Sequence, residues 1–225
     1  MSNLLSVRDL YKSFLEGEKE ISILRGLDLD LNHGERLAVV GESGVGKSTL
    51  LHLIGTLDRP TKGEILYLDK VIPMDDETAL SHFRNREIGF VFQFHYLLPD
   101  FSAVENVMVP ALIQRMDLAR ARSEAERLLE MVGLKDRMSH RPGKLSGGEQ
   151  QRVAVARSVI LEPKLILADE PTGSLDLRIG EEVQDLLFRL NEEKGIALVV
   201  ATHNRDFAKK IGRQVELREG RLFPV

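Results

Sequence analysis

An α/β fold with a mostly parallel sheet is expected for this 225-residue chain, and three patterns predict it. Short, continuously apolar segments alternate with longer segments of helical periodicity, as in a parallel sheet covered on both faces. The opening third instead alternates polar and apolar residues in steps of two, which marks half-buried strands and an N-terminal antiparallel β subdomain. From about residue 94 to residue 160 the character turns helical, so an α-helical subdomain is inserted into the core. The expectation is one domain over 1–225, with the core at about 1–93 and 161–225 and the helical subdomain at about 94–160.

Taken in order, Leu27-Asp-Leu-Asp-Leu31 is a strict period-two strand with one wet face. A turn at Asn32-His-Gly34 leads into the apolar strand Arg36–Val40, and Lys47 to Gly55 reads as a helix. Ile88–Phe92 is a further buried strand. In the inserted part Leu118, Ala121, Ala125, Leu128, Leu129 and Val132 recur at helical spacing, and Gly133 ends that helix. Lys164–Ala168 and Ile196–Ala201 are two more buried strands, with a helix at about 179–193 between them. The closing stretch Gln214–Leu222 alternates around Gly220 as a hairpin would.

Composition sets outer limits on function. Hydrophobic residues make up 43% and charged residues 29%, enough for a core that needs no disulfide or metal staple. Cysteine is absent, which fits a reducing compartment. The segment Met1–Leu10 lacks the basic start and apolar stretch of a signal peptide, and no apolar run approaches the roughly 20 residues needed to cross a bilayer. A soluble, cytoplasmic chain is expected, with any membrane role supplied by a partner. The net charge of −4 and pI of about 5.9 do not suit a protein that holds nucleic acid mainly through its phosphates, so no nucleic-acid partner is expected.

Four strand ends carry the chemistry. Gly41-Glu-Ser-Gly-Val-Gly-Lys-Ser48 fits G-x-x-x-x-G-K-[ST] between a strand and a helix, the context in which the pattern cradles phosphate. Backbone N–H groups of Gly41, Glu42, Ser43, Gly44, Val45 and Gly46 can face phosphate oxygens, and the following helix, with Thr49 in its first turn, adds its positive end. Lys47 can reach the β- and γ-phosphates, and the Ser48 hydroxyl can ligate Mg²⁺. The strand Leu165–Ala168 runs into Asp169 and Glu170: the first is placed to hold Mg²⁺, the second to polarise an attacking water. Alone, such a pair is as readily two solvated acids; with the phosphate loop it reads as a site. Gln93 ends another strand and can meet both Mg²⁺ and water. His203, after Thr202, ends the fourth and can donate to a γ-phosphate or orient Glu170.

Leu145-Ser-Gly-Gly-Glu149, followed by Gln150-Gln-Arg-Val-Ala-Val-Ala-Arg157, is by itself a capped helix: Ser146 and Glu149 form an S-x-x-E capping box, and Gly147 and Gly148 leave the helix start bare. Between the phosphate loop and Asp169-Glu170, it resembles the signature of ABC ATPases. The resemblance spans the chain in the family's order and implies a P-loop NTPase core that binds and hydrolyses ATP with Mg²⁺. It matches Phe14 to the aromatic that stacks on adenine, with Tyr11 as second choice. Gln93 matches the Q-loop, Ser174-Leu-Asp176 the D-loop and His203 the switch histidine. It further implies a head-to-tail homodimer, each ATP lying between one copy's phosphate loop and the other's Ser146–Glu149. Three positions depart from the pattern: Val45 replaces a small polar residue, Ser174 an asparagine, and Asn204 an acidic residue.

The chain carries one cassette and no sustained heptads, which favours a transport subunit over the DNA-repair and translation factors of the family. The runs Gln93–Val107 and Leu51–Asp58 resemble the lipoprotein-releasing branch, whose pattern macrolide exporters and the cell-division cassette share. That resemblance implies an integral membrane partner whose coupling helix docks on the 93–107 segment, and a peripheral place on the inner face of the plasma membrane. A macrolide- or peptide-type exporter subunit, or a cytosolic regulator acting on ribosomes or DNA, are the alternatives.

Overall fold

A computed structural model describes residues 3–17 and 19–225 of the chain. From the amino end, Asn3–Glu16 (β1) and Lys19–Asn32 (β2) are followed by Arg36–Val40 (β3) and the helix Lys47–Ile54 (α1). Lys62–Tyr67 (β4), Lys70–Val71 (β5) and Glu77–Glu87 (α2) lead to Ile88–Phe92 (β6). Three helices come next, Ala103–Ile113 (α3), Leu118–Met131 (α4) and Gly147–Val159 (α5). Leu165–Asp169 (β7) and Leu177–Lys194 (α6) precede Ala197–Thr202 (β8), Arg205–Ile211 (α7), Arg213–Arg218 (β9) and Arg221–Pro224 (β10).

These elements form two units. The first holds the described residues up to Arg84 together with Leu167–Asp169 and Ala197–Val225; the second holds Asn85–Ile166 and Glu170–Ile196.

The first unit contains two sheets. One is antiparallel, in the order β2-β1-β4-β5. Its period-two sequence does what such a pattern dictates: Leu27, Leu29 and Leu31 are buried while Asp28 between them is exposed. The other sheet carries β10-β9-β3-β8 and then the end of β7. β3 pairs in parallel with β8 and with β9, bringing Val40 opposite Thr202 on one side and Glu216 on the other. Leu37, Ala38 and Val39 of β3 and Leu198, Val199 and Val200 of β8 are completely buried, as expected where helices cover both faces. β9 and β10 are the expected hairpin, with Gly220 in the left-handed region at φ 77°.

In the second unit α3, α4 and α5 pack on one another, and α5 also packs on β6 and α6. α4 starts on Asp117, whose carboxylate accepts from the Ala119 and Arg120 amides, and it buries Ala121, Ala125, Leu128 and Leu129. Gly133 follows its end at φ 74°. α3 opens on a capping box made by Ser102 and Glu105. Its Asn106, fully buried, accepts from the Leu98 amide at 2.7 Å and donates to the carbonyls of Leu98, Phe101 and Ser102 at 3.0–3.1 Å. One buried side chain thereby anchors the exposed loop Leu98–Phe101 to the start of α3.

Candidate functional site

In the first unit the loop after β3 is shaped by its glycines. Gly41 lies at φ 153°, and a Cβ there would stand 2.6 Å from the Leu217 carbonyl oxygen. Gly46, at φ 111°, would drive a Cβ to 2.7 Å from Ile23 of β2. Both therefore need glycine, one for closeness to β9 and the other for closeness to the antiparallel sheet. Gly46 is also the N-cap of α1, and being glycine it brings no side chain to the helix start. No side chain caps the first-turn N–H groups at the positive end of this helix, and Glu42, Ser43 and Gly44 of the loop before it are exposed. Val45, one of the departures from the family pattern, has its Cγ1 where a Cβ at Gly41 would come within 3.0 Å.

Lys47 is buried and turns back over this loop, donating to the carbonyls of Gly41 at 2.9 Å and Glu42 at 2.8 Å. An ammonium has three N–H donors, so one remains for a ligand on the loop's mouth. Ser48 is exposed and Thr49 half-buried in the first turn. Strand pairing sets the other groups beside this loop: Thr202 stands opposite Val40, so His203 leaves β8 where Gly41 leaves β3. Asp169 ends β7, the neighbour of β8. His203 is exposed, and Asn204 after it caps α7 by accepting from the Asp206 and Phe207 amides, both at 3.0 Å. The asparagine keeps that cap, which an aspartate would make equally well, so the cap gives no reason for the departure from the family pattern.

Phe14 lies on β1 and is 44% exposed. Lys12 pairs with Leu24, and Leu24 and Ile23 are the residues of β2 that meet Gly46, so this end of the hairpin runs past the phosphate loop. Tyr11 lies beside Gly26, where a Cβ would stand 2.9 Å from its hydroxyl.

The second unit gathers the remaining candidates around α5. Ser146 accepts from the Glu149 amide at 3.3 Å, while the Glu149 carboxylate accepts from the Ser146 amide at 2.7 Å and pairs with Arg137 at 3.1 Å. The Ser146 amide, first of all, holds the Glu149 carboxyl below its usual range, although burial pushes the other way; Arg137 adds to the lowering. Gly148 is buried against Ile179 of α6, and Gly147 is exposed. Asp176 caps α6, its carboxylate accepting from Ile179 at 3.0 Å. Ser174 donates to the Gln93 carbonyl at 3.2 Å, which ties the turn before α6 to the end of β6. Glu170 holds φ 45°, a conformation that non-glycine residues adopt at a cost of order 1 kcal/mol and that concentrates at functional sites.

Two residues that sequence reasoning did not single out order this region. Gln151, fully buried on α5, donates to the carbonyls of Phe92 at 3.2 Å and Pro171 at 2.6 Å. One amide thus clasps the residue before Gln93 and the residue after Glu170. Arg157 forks onto the carbonyls of His95 and Tyr96, both at 2.8 Å. Burial lowers its pKa, yet a guanidinium remains charged and well matched to two carbonyls. The only sequence signal for either residue was its place on the helix after Glu149.

A profile of the ABC transporter family matches residues 24–173. The chain belongs to the ABC transporter family. Among ABC proteins it is 52% identical over 219 residues to the lipoprotein-releasing system ATP-binding protein LolD of Syntrophus aciditrophicus (strain SB), covering 97% of this chain and 98% of that one. The LolD of Geobacter metallireducens is 51% identical, covering 99% of each chain. In structure the chain is similar to an ATP-binding cassette solved as a dimer in a post-hydrolysis state with ADP and Pi. That likeness has a TM-score of 0.90 at 38% identity and covers 97% of this chain and 96% of the cassette. The expected P-loop α/β fold is therefore observed, antiparallel β sheet and helical insertion included.

Proposed function

We propose that this chain is the ATP-binding and ATP-hydrolysing subunit of an ABC transporter that releases lipoproteins from the inner membrane. The observation that carries this reading is the roughly half-identical match, over 97–99% of the chain, to lipoprotein-releasing ATP-binding proteins. The domain works as a single ABC ATPase, core 1–93 and 161–225 with helical subdomain 94–160, and as a homodimer.

The residues present suit a nucleotide and Mg²⁺. The glycine-shaped loop, the uncapped start of α1 and the third Lys47 donor together make an anion site, and the Ser48 hydroxyl with the Asp169 carboxylate and the Gln93 amide are hard oxygen donors. Ser48, Asp169 and Gln93 would hold Mg²⁺, which supplies neutralising charge to phosphate oxygens. Gly41 to Thr49 bind and orient the phosphates, and Phe14 stacks on the adenine. Glu170 takes a proton from the water that attacks the γ-phosphorus, so that ATP and water give ADP and phosphate. His203 donates a hydrogen bond to the γ-phosphate, and Lys47 steadies the charge on the leaving side. Ser146, Gly147, Gly148, Glu149 and Asp176 serve the nucleotide held by the other copy.

Phe94, Tyr96, Leu98 and Phe101 expose 42–66% of their surface on the segment that Asn106 and Arg157 hold in shape. Exposed apolar side chains on an anchored loop suit a docking face, and the partner proposed for it is the cytoplasmic coupling helix of the membrane subunit. No helix among the described residues is long and apolar enough to cross a membrane, so attachment at the inner face rests on that partner. The test is co-purification with an integral membrane subunit from detergent extracts. Wild type is expected to bring it down, and Phe94→Ser with Tyr96→Ser to lose it while still binding ATP. Undiminished co-purification by the double variant would overturn the docking face.

A further inference from the structure

Lys12 is a buried cation that the mechanism above does not use. It is 8% exposed, and its ammonium donates to the Asp58 carboxylate at 2.7 Å and to the Arg59 carbonyl at 2.8 Å. The same ammonium stands 4.7 Å from the centroid of the Phe14 ring. A lysine so held has lost the freedom that usually makes surface ion pairs worth little, and a cation that close to a phenyl face is attracted by the ring's quadrupole. One face of Phe14 is therefore backed by a fixed charge, while the side chain as a whole remains 44% exposed.

We infer that Lys12 is a positioning residue for base recognition: clamped by Asp58 and Arg59, it backs Phe14 so that the ring offers its other face to a purine. This rests on the reading of Phe14 as the stacking aromatic. Two physical effects follow from the arrangement. The ring is ordered before the nucleotide arrives, so binding spends less entropy on fixing it. The ammonium also draws π-electron density toward itself, leaving the opposite face less negative and better suited to the electron-rich face of a purine. Neither effect reaches the γ-phosphate, so both belong to binding and not to turnover.

The experiment compares full-length Lys12→Met, Lys12→Arg, Asp58→Asn, Phe14→Leu and the Lys12→Met/Phe14→Leu double variant by ATP affinity and by ATPase kinetics. Lys12→Met is expected to bind ATP about three- to tenfold more weakly and to raise KM alike, with kcat at saturating ATP unchanged. Lys12→Arg, which keeps the cation, is expected to restore most of the affinity, and Asp58→Asn to fall between wild type and Lys12→Met. In the Phe14→Leu background Lys12→Met should add nothing. If Lys12→Met does not fold, Asp58→Asn carries the same comparison. An unchanged KM in Lys12→Met or Asp58→Asn, a fall confined to kcat, or full additivity in the double variant would overturn the inference. If Phe14→Leu itself leaves ATP affinity unchanged, it is the Phe14 reading that fails, whatever Lys12 does.

Discussion

On the proposed mechanism Lys47 and Glu170 serve different steps and should fail differently. Lys47 has two of its three N–H groups on the carbonyls of Gly41 and Glu42, so it holds the loop's shape in addition to the phosphate contact proposed for it. Lys47→Ala is expected to abolish ATP binding in equilibrium titration; near-normal affinity would count against the phosphate-loop assignment. Glu170→Gln keeps the side chain's size and removes only its basicity. It should bind ATP normally, lose about 10²-fold or more in turnover, and accumulate as an ATP-bound dimer on sizing columns. Turnover within tenfold of wild type would remove Glu170 from the role of base. The φ of 45° at Glu170 is a local backbone cost at the position proposed for the base.

At the scale of elements, α5 is the organiser of the second unit. Its capping box predicts a pH effect whose sign follows from the lowered Glu149 pKa. A carboxyl held below the ordinary value of 4.5 contributes stability that is complete above that value and disappears as pH falls through its folded pKa. Glu149→Ala should therefore cost about 1 kcal/mol in urea unfolding at neutral pH. The difference from wild type should shrink toward zero as the pH is taken well below 4.5; a constant difference across that range would contradict the assignment. Gln151 gives a second test. Gln151→Leu strands the Phe92 and Pro171 carbonyls, so stability should drop by about 1–3 kcal/mol and turnover should fall with it. Stability equal to wild type would show that those carbonyls find other donors.

Parts of this organisation were legible in the residues and others were not. Buried parallel strands write themselves as continuous apolar runs, which is why β3, β6, β7 and β8 and the polar groups at their ends could be placed within a residue or so. The Ser146–Glu149 box was legible because capping is local. α2 escaped notice because only Leu80 of its eleven residues is buried, leaving no apolar stripe to read. Lys12 and Gln151 escaped because their roles are made by partners distant in the chain: Asp58 lies 46 residues from Lys12, and Phe92 lies 59 from Gln151.

For the whole molecule, the residues proposed for catalysis come from both units, with Lys47, Asp169 and His203 in the first and Gln93, Glu170 and Ser146–Glu149 in the second. A motor built this way needs both units and, on the proposed reading, two copies of the chain before ATP is turned over. The most direct test of the central claim is release of a lipoprotein from vesicles that contain the membrane subunit, with this chain bound, on addition of ATP and Mg²⁺. Release is expected with wild type, only with hydrolysable ATP, and is expected to be absent with Glu170→Gln although that variant still assembles. Release that proceeds equally with Glu170→Gln, or an assembled wild-type complex that hydrolyses ATP and frees no lipoprotein, would contradict it.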